Sequence, residues 1–194
     1  MRFIEPMAAL LVDALPAGDE WLYEAKFDGY RALALKNGAG VKLLSRKGND
    51  LTADYPAIRQ AVAALKAKSA LIDGEIVAFD ESGRPSCQQL HHRSARPAAI
   101  RYFAFDLLHR DGKDLQAQPL EERRASLQKM LRGSDVEFSA ELPGDADDVV
   151  QAVTEVGLEG VVAKRRDSRY EAGKRSGLWQ KFKVQLRQEF VIGG

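Results

Sequence analysis

Apolar and polar residues alternate in short runs along most of this chain, a pattern typical of strands with one buried face. The predicted strands cover residues 21–26, 30–36, 41–45, 70–79, 100–108, 136–140, 160–164 and 179–184. Two glycine-containing pairs, Asn37-Gly38 and Asp111-Gly112, predict tight hairpin turns. The strands are therefore expected to pair mostly in antiparallel fashion.

Three other segments repeat their apolar residues every three or four positions, which predicts helices. They begin after Asp54 and Pro56, at Pro119 and after Asp145, residue types that often start helices. The apolar residues in phase are Ile58, Val62 and Leu65 in the first helix, Leu120, Leu127 and Leu131 in the second, and Val149, Val153 and Val156 in the third, which Gly157 ends. Hairpins interspersed with helices predict an α+β fold with largely antiparallel sheets, not a doubly wound parallel sheet.

Composition narrows the class of protein only slightly. The chain has 194 residues, of which 45% are hydrophobic and 29% charged, enough to bury a substantial core. Its net charge is +1, but residues 160–187 carry nine basic side chains against two acidic ones. Such a segment could bind a polyphosphate or a DNA backbone, or it could simply be a charged surface exposed to solvent. Cys87 is the single cysteine, which excludes an internal disulfide and a zinc site built from thiolates. The first fifteen residues form neither a signal peptide nor a membrane span, so a cytoplasmic protein without membrane contact is expected.

The most informative segment is Glu24-Ala25-Lys26-Phe27-Asp28-Gly29-Tyr30-Arg31, a strand end that runs into a glycine turn. Glu24, Lys26 and Asp28 share one strand face, opposite Trp21, Tyr23 and Ala25, so the ionisable groups are expected to point into a cleft. An amine among charged groups is a candidate nucleophile. The alternative is a surface turn in which glycine serves only a positive φ.

Further segments place candidate ligands at strand ends. Arg46 lies in Ser45-Arg46-Lys47-Gly48, at a predicted loop mouth. Glu75 interrupts an apolar run, where it needs either a structural partner or a ligand hydroxyl such as that of a ribose. Phe103, Phe105 and Leu107 are predicted to share one strand face; Phe103 and Leu107 are assigned to the core, while one aromatic at a cleft edge could stack on a purine.

Two C-terminal segments add carboxylate and lysine side chains. Glu159 and Lys164 bracket a β-branched strand. Farther on, Trp179, Lys181 and Lys183 share one face of the final strand, with Phe182 and Val184 directed to the core. Two lysines on one face repel each other unless solvent or an anion lies over them, and a triphosphate would account for both.

Taken in order, these segments resemble the motif series of the covalent nucleotidyltransferases, in particular the ATP-dependent DNA ligases, and among them the ligase modules of bacterial multifunctional end-joining enzymes of the DNA ligase D type. The resemblance extends from about Trp21 to Val184. It implies the ligase and capping-enzyme nucleotidyltransferase fold, with antiparallel sheets flanked by helices around an ATP cleft. It also implies an adenylation domain at residues 1–187, with residues 188–194 starting a C-terminal OB-fold domain that this chain lacks.

The resemblance also assigns roles. Lys26 would be the nucleophile that becomes linked to AMP, with Asp28, Lys181 and Lys183 as further catalytic residues. The nucleotide would contact Glu24 near the adenine amino group, Phe105 by stacking, Glu75 at the ribose, Arg31 and Arg46 at the sugar or a phosphate, and Lys164, Lys181 and Lys183 at the phosphates. Asp28 and Glu159 would hold a divalent metal, Mg²⁺ or Mn²⁺.

The implied partners are nicked or broken duplex DNA and the OB-fold domain of the same enzyme, together with polymerase and nuclease modules and a DNA-end-binding protein; the expected state is a monomer. Because the OB-fold carries a further basic motif that orients pyrophosphate, nick sealing by this chain alone is expected to be weak.

The chemistry requires Lys26 to lose its proton, and a free lysine, with a pKa of ~10.4, is almost fully protonated at neutral pH. Burial, cationic neighbours and a bound metal are the factors that favour the neutral amine.

Three alternatives remain at this point. An RNA ligase or a GTP-using capping enzyme shares the same motifs, and the purine used is not readable from them. A non-enzymatic module that binds DNA ends would keep the motifs around a vestigial site. A metal-dependent phosphoesterase is disfavoured, because His91, His92 and His109 lack a convincing ligand spacing.

Overall fold

Two β-sheets and the helices packed on them make up the part of the chain that the computed structural model describes, residues 2–81, 83–86, 90 and 99–184. In chain order the elements are β1 (Leu10–Leu11), β2 (Trp21–Lys26), β3 (Tyr30–Asn37), β4 (Gly40–Ser45), α1 (Pro56–Ala64), β5 (Ser69–Phe79), β6 (Ala99–Arg110), β7 (Lys113–Asp114), α2 (Leu120–Leu131), β8 (Glu137–Phe138), α3 (Ala146–Glu155), β9 (Gly160–Arg165) and β10 (Trp179–Lys183). Cys87, His91, His92 and the predicted domain step at 188–194 lie outside the described residues.

The smaller sheet has the strand order β1-β10-β9-β2, and the larger sheet has the order β4-β3-β5-β6-β7 with β8 beside β6. Neighbouring strands are antiparallel, except that β1 runs parallel to β10 and β8 parallel to β6. The predicted α+β class with largely antiparallel sheets is confirmed. No helix in the described ranges is both long enough and apolar enough to cross a membrane.

The apolar residues form three clusters that define the layers. Helices α1 and α2 cover the outer face of the larger sheet, where Ile58, Val62 and Leu127 are buried against Ile72. A second cluster, which includes Leu22, Leu33, Leu108 and Trp179, takes its members from both sheets. The third lies between α3 and the smaller sheet and contains Tyr23, Val149, Val153 and Val161. Because β2 and β3 belong to different sheets, the turn between them passes from one sheet to the other.

Helix α3 begins as the sequence predicts, but its apolar face is shorter than expected. The Asp145 carboxylate accepts hydrogen bonds of 3.0 Å from the backbone N–H groups of Asp147 and Asp148, the usual role of an N-cap. Val149 and Val153 are buried, whereas Val156 is 60% exposed. The prediction for Val156 is wrong because the helix ends at Glu155 and Val156 is its C-cap.

Strand β6 does not keep the predicted alternation. Asp73 pairs with Asp106 and Gly74 with Ala104, so Phe105 is an extra residue opposite this step, and a second irregularity follows between Leu71 and Ile72. Bulges of this kind re-aim the side chains that follow them. Phe103, Phe105 and Leu107 therefore do not share one face.

These three side chains lie in different environments, because Phe105 is the bulged residue and Leu107 follows the bulge. Leu107 is buried under the helices, as predicted for the core. Phe105 instead packs against the cluster between the sheets. Phe103 is only partly buried, and its ring lies 4.4 Å from that of Phe27. The core assignment is thus confirmed for Leu107 alone.

The remaining strand predictions differ from the structure at their ends. Residues 136–140 reduce to the two-residue β8, and β10 ends one residue before Val184. Both hairpin turns are confirmed: Gly38 has φ 58° between β3 and β4, and Asp111 and Gly112 have φ 48° and 87° between β6 and β7. A two-residue hairpin turn has a positive φ at its first central residue in type II′ and at both central residues in type I′, which fits Gly38 and the Asp111-Gly112 pair respectively.

Candidate active site

A cavity of about 210 Å³ opens between the two sheets. Eight of the predicted site residues line it, namely Glu24, Lys26, Arg31, Arg46, Glu75, Phe105, Lys164 and Lys181. They come from β2, β3, β5, β6, β9, β10 and the loop after β4. The fold therefore brings together residues that are more than 150 positions apart in the sequence.

Lys26 lies at the end of β2, and its side-chain amine pairs with Glu159. In the ladders, Gly160 is opposite both Lys26 of β2 and Lys183 of β10. The Glu159 carboxylate accepts from Lys26 through one oxygen and from Lys183, at 3.0 Å, through the other. Burial raises the pKa of Glu159, but the hydrogen bonds from the two lysines outweigh it, and the pKa is lowered overall. Glu159 is thus an anionic bridge between two predicted catalytic lysines.

Two glycines allow the strand ends to approach this closely. A Cβ on Gly160, whose φ is 155°, would lie 2.0 Å from the Phe182 carbonyl oxygen. A Cβ on Gly29 would lie 2.3 Å from the carbonyl oxygen of Ile76, although Gly29 has no positive φ. The alternative in which Gly29 serves only a positive φ is therefore wrong: glycine is needed there because the turn after Lys26 lies directly against β5.

The floor of the cavity holds a buried carboxylate with three donors. Glu24 is 2% exposed, and its Oε1 accepts from Arg124 of α2 and, at 2.9 Å, from Lys164 of β9. Its Oε2 accepts a bond of 2.6 Å from the Ser139 hydroxyl. A buried carboxylate is stable only when it is paired in this manner.

Lys164 belongs to this floor and not to the solvent-facing part of the cavity. It is 2% exposed, and its Nζ lies 4.2 Å from the ring centre of Phe105 and 4.4 Å from that of Trp179. Burial lowers the pKa of Lys164, and the charge of Glu24 opposes that effect. The structure places Lys164 as a partner of Glu24 and of two aromatic rings, whereas a phosphate contact was expected.

Arg31 is fixed by a second buried network. Its guanidinium makes two bonds to Asp73, of 3.0 and 2.6 Å, and the Tyr170 hydroxyl donates to the same carboxylate at 2.6 Å. The backbone N–H of Met7 donates in turn to Tyr170. Burial lowers the pKa of Arg31, but its contacts with Asp73 raise it by more, so Arg31 keeps its charge. Its guanidinium carbon lies 5.2 Å from the ring centre of Phe105, beside the expected stacking surface.

Glu75 faces the cavity opposite Lys26. It pairs with Arg31 in the β3–β5 ladder, and no hydrogen bond to its carboxylate is found among the described residues. Burial raises the pKa of Glu75 to about 8, although Arg31 and Lys26 oppose the shift. A carboxyl group at a cavity wall that has no hydrogen-bond partner among the described residues is suited to a ligand hydroxyl.

The mouth of the cavity is cationic. Lys181 and Arg46 line it, together with Arg175 from the loop between β9 and β10. Burial lowers the pKa of Lys181, and so do the nearby positive charges of Lys26, Arg175, Lys183 and Arg46. Several cations that repel one another favour the binding of an anion between them.

The predicted metal ligands do not form a preassembled site. Glu159 adjoins Lys26, whereas Asp28 is exposed and is not among the lining residues. In the described ranges, no group of three or more His, Cys, Asp or Glu side chains could hold a metal ion. Magnesium, however, is commonly held by one or two carboxylates together with substrate phosphates, and Glu159 fits that mode.

Several residues that shape the site were not singled out by the sequence: Asp73, Arg124, Ser139, Tyr170 and Arg175. For Asp73 a signal existed, because it lies in the same apolar run as Glu75. The signal for Arg124 was weaker: it is an arginine beside the apolar face of a predicted helix. Ser139 and Tyr170 carried no signal, because their partners lie about 100 residues away in the chain. Asp106, which follows Phe105 in β6, is fully buried and paired with Arg123 through two 2.8 Å bonds.

Comparison with known proteins identifies the family of this chain. A family model, the ATP dependent DNA ligase domain, matches residues 6–183. The multifunctional non-homologous end joining protein LigD of Pseudomonas aeruginosa is 44% identical over 198 residues, covering all of this chain and 23% of the relative. LigD of Mycobacterium tuberculosis is 40% identical over 175 residues, covering 90% of this chain and 23% of the relative. The chain thus spans about a quarter of the length of these relatives.

Solved structures lead to the same family. A mycobacterial DNA ligase D complexed with ATP and MES superposes with a TM-score of 0.83 at 36% identity, covering 93% of this chain and 60% of that one. The Chlorella virus DNA ligase-adenylate, at 18% identity and a TM-score of 0.57, covering 92% of this chain and 69% of that one, shares the fold. This protein chain belongs to the ATP-dependent DNA ligase domain family and has its α+β nucleotidyltransferase fold.

Proposed function

We propose that this chain is the adenylation domain of an ATP-dependent DNA ligase, in which Lys26 attacks the α-phosphorus of ATP. The single observation that carries the proposal is the position of Lys26. Its amine lines a cavity that has an aromatic surface and a buried carboxylate at its floor and cations at its mouth. A nucleoside triphosphate has matching parts in the same order: a base, a sugar and a polyanion.

In this proposal the nucleotide spans the cavity. The adenine stacks on Phe105, with its amino group near Glu24, and the ribose donates a hydroxyl to Glu75. Arg31 contacts the sugar or a phosphate, while Arg46, Lys181 and Lys183 bind the phosphates. Lys164 is buried beneath Phe105 and bound to Glu24, which favours a role at the base end over the phosphate contact that the resemblance implies.

The bond that forms joins Lys26 Nζ to the α-phosphorus, and the bond that breaks joins that phosphorus to the oxygen of the β-phosphate. Pyrophosphate leaves on the side opposite Lys26, with the electron pair of the broken bond. Charge on the phosphoryl oxygens is stabilised by Lys181 and Lys183. Lys26 must first give up a proton to the solvent at the open side of the cavity, a loss that the neighbouring cations favour and Glu159 opposes.

A divalent cation fits the site through Glu159 and the phosphates of the nucleotide. When bound, Mg²⁺ or Mn²⁺ would neutralise phosphate charge and relieve the pull of Glu159 on the Lys26 proton. Glu159 is the residue that would hold it. Asp28, which lies two residues after Lys26 in the turn between β2 and β3, would contribute a second carboxylate ligand from the exposed side of the site.

The second half of the proposed reaction uses DNA. AMP passes from Lys26 to a DNA 5′-phosphate, and a 3′-hydroxyl then displaces AMP and closes the break. The names of the relatives, multifunctional non-homologous end joining proteins, support DNA repair by end joining. On this proposal the chain acts in the cytoplasm as a monomeric part of a larger enzyme, with an OB-fold domain, polymerase and nuclease modules and a DNA-end-binding protein as partners.

The direct test is the intact mass of the protein after incubation with ATP and Mn²⁺. The expected result is an increase by one adenylate, absent from Lys26→Ala and present in Lys129→Ala, an exposed lysine on α2. Labelling of the Lys26→Ala protein would refute the nucleophile. Competition of ATP with GTP separates this function from a GTP-using capping enzyme.

Nick sealing is a separate measurement. The isolated chain is expected to seal nicked DNA slowly and to improve when an OB-fold domain is appended. RNA nicks sealed faster than DNA nicks would favour an RNA ligase instead. Retained DNA binding without any adenylate on Lys26 would favour a non-enzymatic DNA-end-binding module.

A further inference from the structure

The least expected feature of the cavity floor is an arginine from a helix outside both sheets. We propose that Arg124 of α2 is a positioning residue that sets the purine preference of the site, by fixing the Glu24 carboxylate relative to the backbone of Phe105. This inference rests on the proposed function, because it concerns how ATP would be recognised. It assigns Arg124 no contact with the nucleotide.

Arg124 connects three parts of the floor at once. Its Nη1 donates to Glu24 Oε1 on β2 and lies 3.4 Å from the Phe105 carbonyl oxygen on β6. Its Nη2 donates to the Ser139 carbonyl oxygen at 2.9 Å. The planar guanidinium rests on the ring of Phe138, 4.7 Å from its centre. Because the guanidinium is a rigid fork, these contacts fix Glu24 and Phe105 relative to each other.

The pattern of donors leaves Glu24 one defined acceptor position. A carboxylate offers about four lone-pair sites. Arg124 and Lys164 occupy two sites on Oε1, and the Ser139 hydroxyl occupies one on Oε2. Among the described residues, the site that remains is therefore on Oε2, and Glu24 lines the cavity. An adenine amino group is a donor suited to that position, whereas the 6-oxo group of guanine is an acceptor and would be repelled.

The helix that carries Arg124 is itself held firmly. The preceding residue, Arg123, is fully buried, binds Asp106 with two bonds of 2.8 Å, and donates to the Ser168 carbonyl oxygen at 2.9 Å. Since Asp106 follows Phe105 directly, α2 is bound to β6 at the expected stacking residue and at the residue after it. Arg124 therefore acts from a rigid base, as a positioning residue must.

The test compares ATP with purine riboside triphosphate, which has the same rings and phosphates but no amino group. The rate of covalent labelling of Lys26 is measured against the concentration of each nucleotide, and the ratio of the two kcat/KM values gives the preference for the amino group. Arg124→Lys keeps the charge but loses the fork. It is expected to reduce that ratio about tenfold, through a higher KM for ATP, while the rate at saturation changes little.

Two further variants keep the test decisive. Ser139→Ala removes only the hydroxyl that donates to Glu24 Oε2. It tests the proposal independently if Arg124→Lys does not fold. The ratio of the kcat/KM values for the two nucleotides is expected to fall about threefold in this variant. Tyr23→Phe is the stability control: Tyr23 precedes Glu24 on β2, but its side chain packs under α3 and its hydroxyl donates to the Pro16 carbonyl oxygen at 2.7 Å. It is expected to lower the melting temperature without changing the ratio.

The outcomes for the two proposals are distinct. An unchanged ATP preference in Arg124→Lys and Ser139→Ala, with normal labelling of the unmodified chain, would overturn the role of Arg124 and leave the adenylation function intact. Equal losses for both nucleotides would likewise overturn it, because they would mean that Arg124 only stabilises the fold. If the unmodified chain is not labelled at all, the adenylation function fails, and the preference is then read from calorimetric binding of the two triphosphates.

Discussion

Lys26 and Gly160 lie opposite each other in the β2–β9 ladder, and this pairing brings the Lys26 amine onto the carboxylate of Glu159. Lys183 approaches the same carboxylate from β10. The proposed nucleophile, Lys26, is thus held by the strand register and not by a flexible loop. Precise positioning of this type is worth a large factor in rate.

Replacing Glu159 with glutamine tests this relationship. The amide keeps the shape of the side chain but loses the charge that holds Lys26 and fits a divalent cation. We expect the rate of Lys26 adenylation at saturating ATP to fall about a hundredfold. The melting temperature should fall modestly, because the lowered pKa of Glu159 means that its charge contributes to the stability of the folded state.

The control for that experiment is Glu137→Gln. Glu137 pairs with Arg101 at 3.1 Å and is 44% exposed, far from the cavity lining. Its substitution should leave both the rate and the melting temperature unchanged. Full-speed labelling of the Glu159→Gln protein would contradict the role given to the Lys26–Glu159 pair.

Phe105 and Leu107 are two residues apart in β6 but serve different layers. Phe105→Ala removes the expected stacking surface and should raise the KM for ATP by about 5-fold to 150-fold, since stacking of a base on an aromatic ring is worth ~1–3 kcal/mol. Leu107→Ala should instead lower the free energy of unfolding by about 2–5 kcal/mol and leave the KM unchanged. Steady-state labelling and chemical denaturation distinguish the two. An unaltered KM in Phe105→Ala would assign that ring to the core.

The raised pKa of Glu75 predicts that the stability of the nucleotide-free chain depends on pH. Because burial raises its pKa to about 8 from 4.5, the folded state binds a proton that the unfolded state has lost between these values. The free energy of unfolding should therefore fall as the pH rises from about 4.5 to about 8, and level off above it. Glu75→Gln removes this contribution, so its stability relative to the original chain should increase across that window, by a few kcal/mol, on the order of the pKa shift. Parallel denaturation profiles of the two proteins between pH 5 and 8 would show that Glu75 does not titrate in this way.

Alanine substitutions at Gly29 and Gly38 distinguish two reasons for a glycine, close packing against a neighbouring strand and a positive φ. Gly29→Ala places a Cβ against the Ile76 carbonyl oxygen and should displace the turn after Lys26, which is expected to slow adenylation about a hundredfold. Gly38→Ala meets nothing within 4 Å but keeps a φ of 58°, so it should cost only about 1–2 kcal/mol of stability and leave the rate intact. Labelling rates and melting curves of the two variants decide the matter. Equal rates would mean that the turn tolerates a side chain at Gly29.

The sequence determined most of the strands, the hairpin turns and eight of the residues that meet in the cleft. Alternation with a period of two is a local property, so β2, β3 and β5 could be placed from their own residues. The run from Glu24 to Arg31 also carried its chemistry locally, because the amine, the glycine and the guanidinium are adjacent in the chain. The antiparallel α+β class followed from these local patterns.

Only the tertiary structure decided how those residues are paired. The bulge at Phe105 in β6 depends on the register with β5, and it places Leu107 in the opposite layer from Phe105. Lys164, expected at the phosphates, is buried because Glu24 lies beside it on the neighbouring strand. Arg124 reaches the same carboxylate from 100 residues away. A bond between distant residues depends on how the elements pack, and no local pattern in one sequence records it.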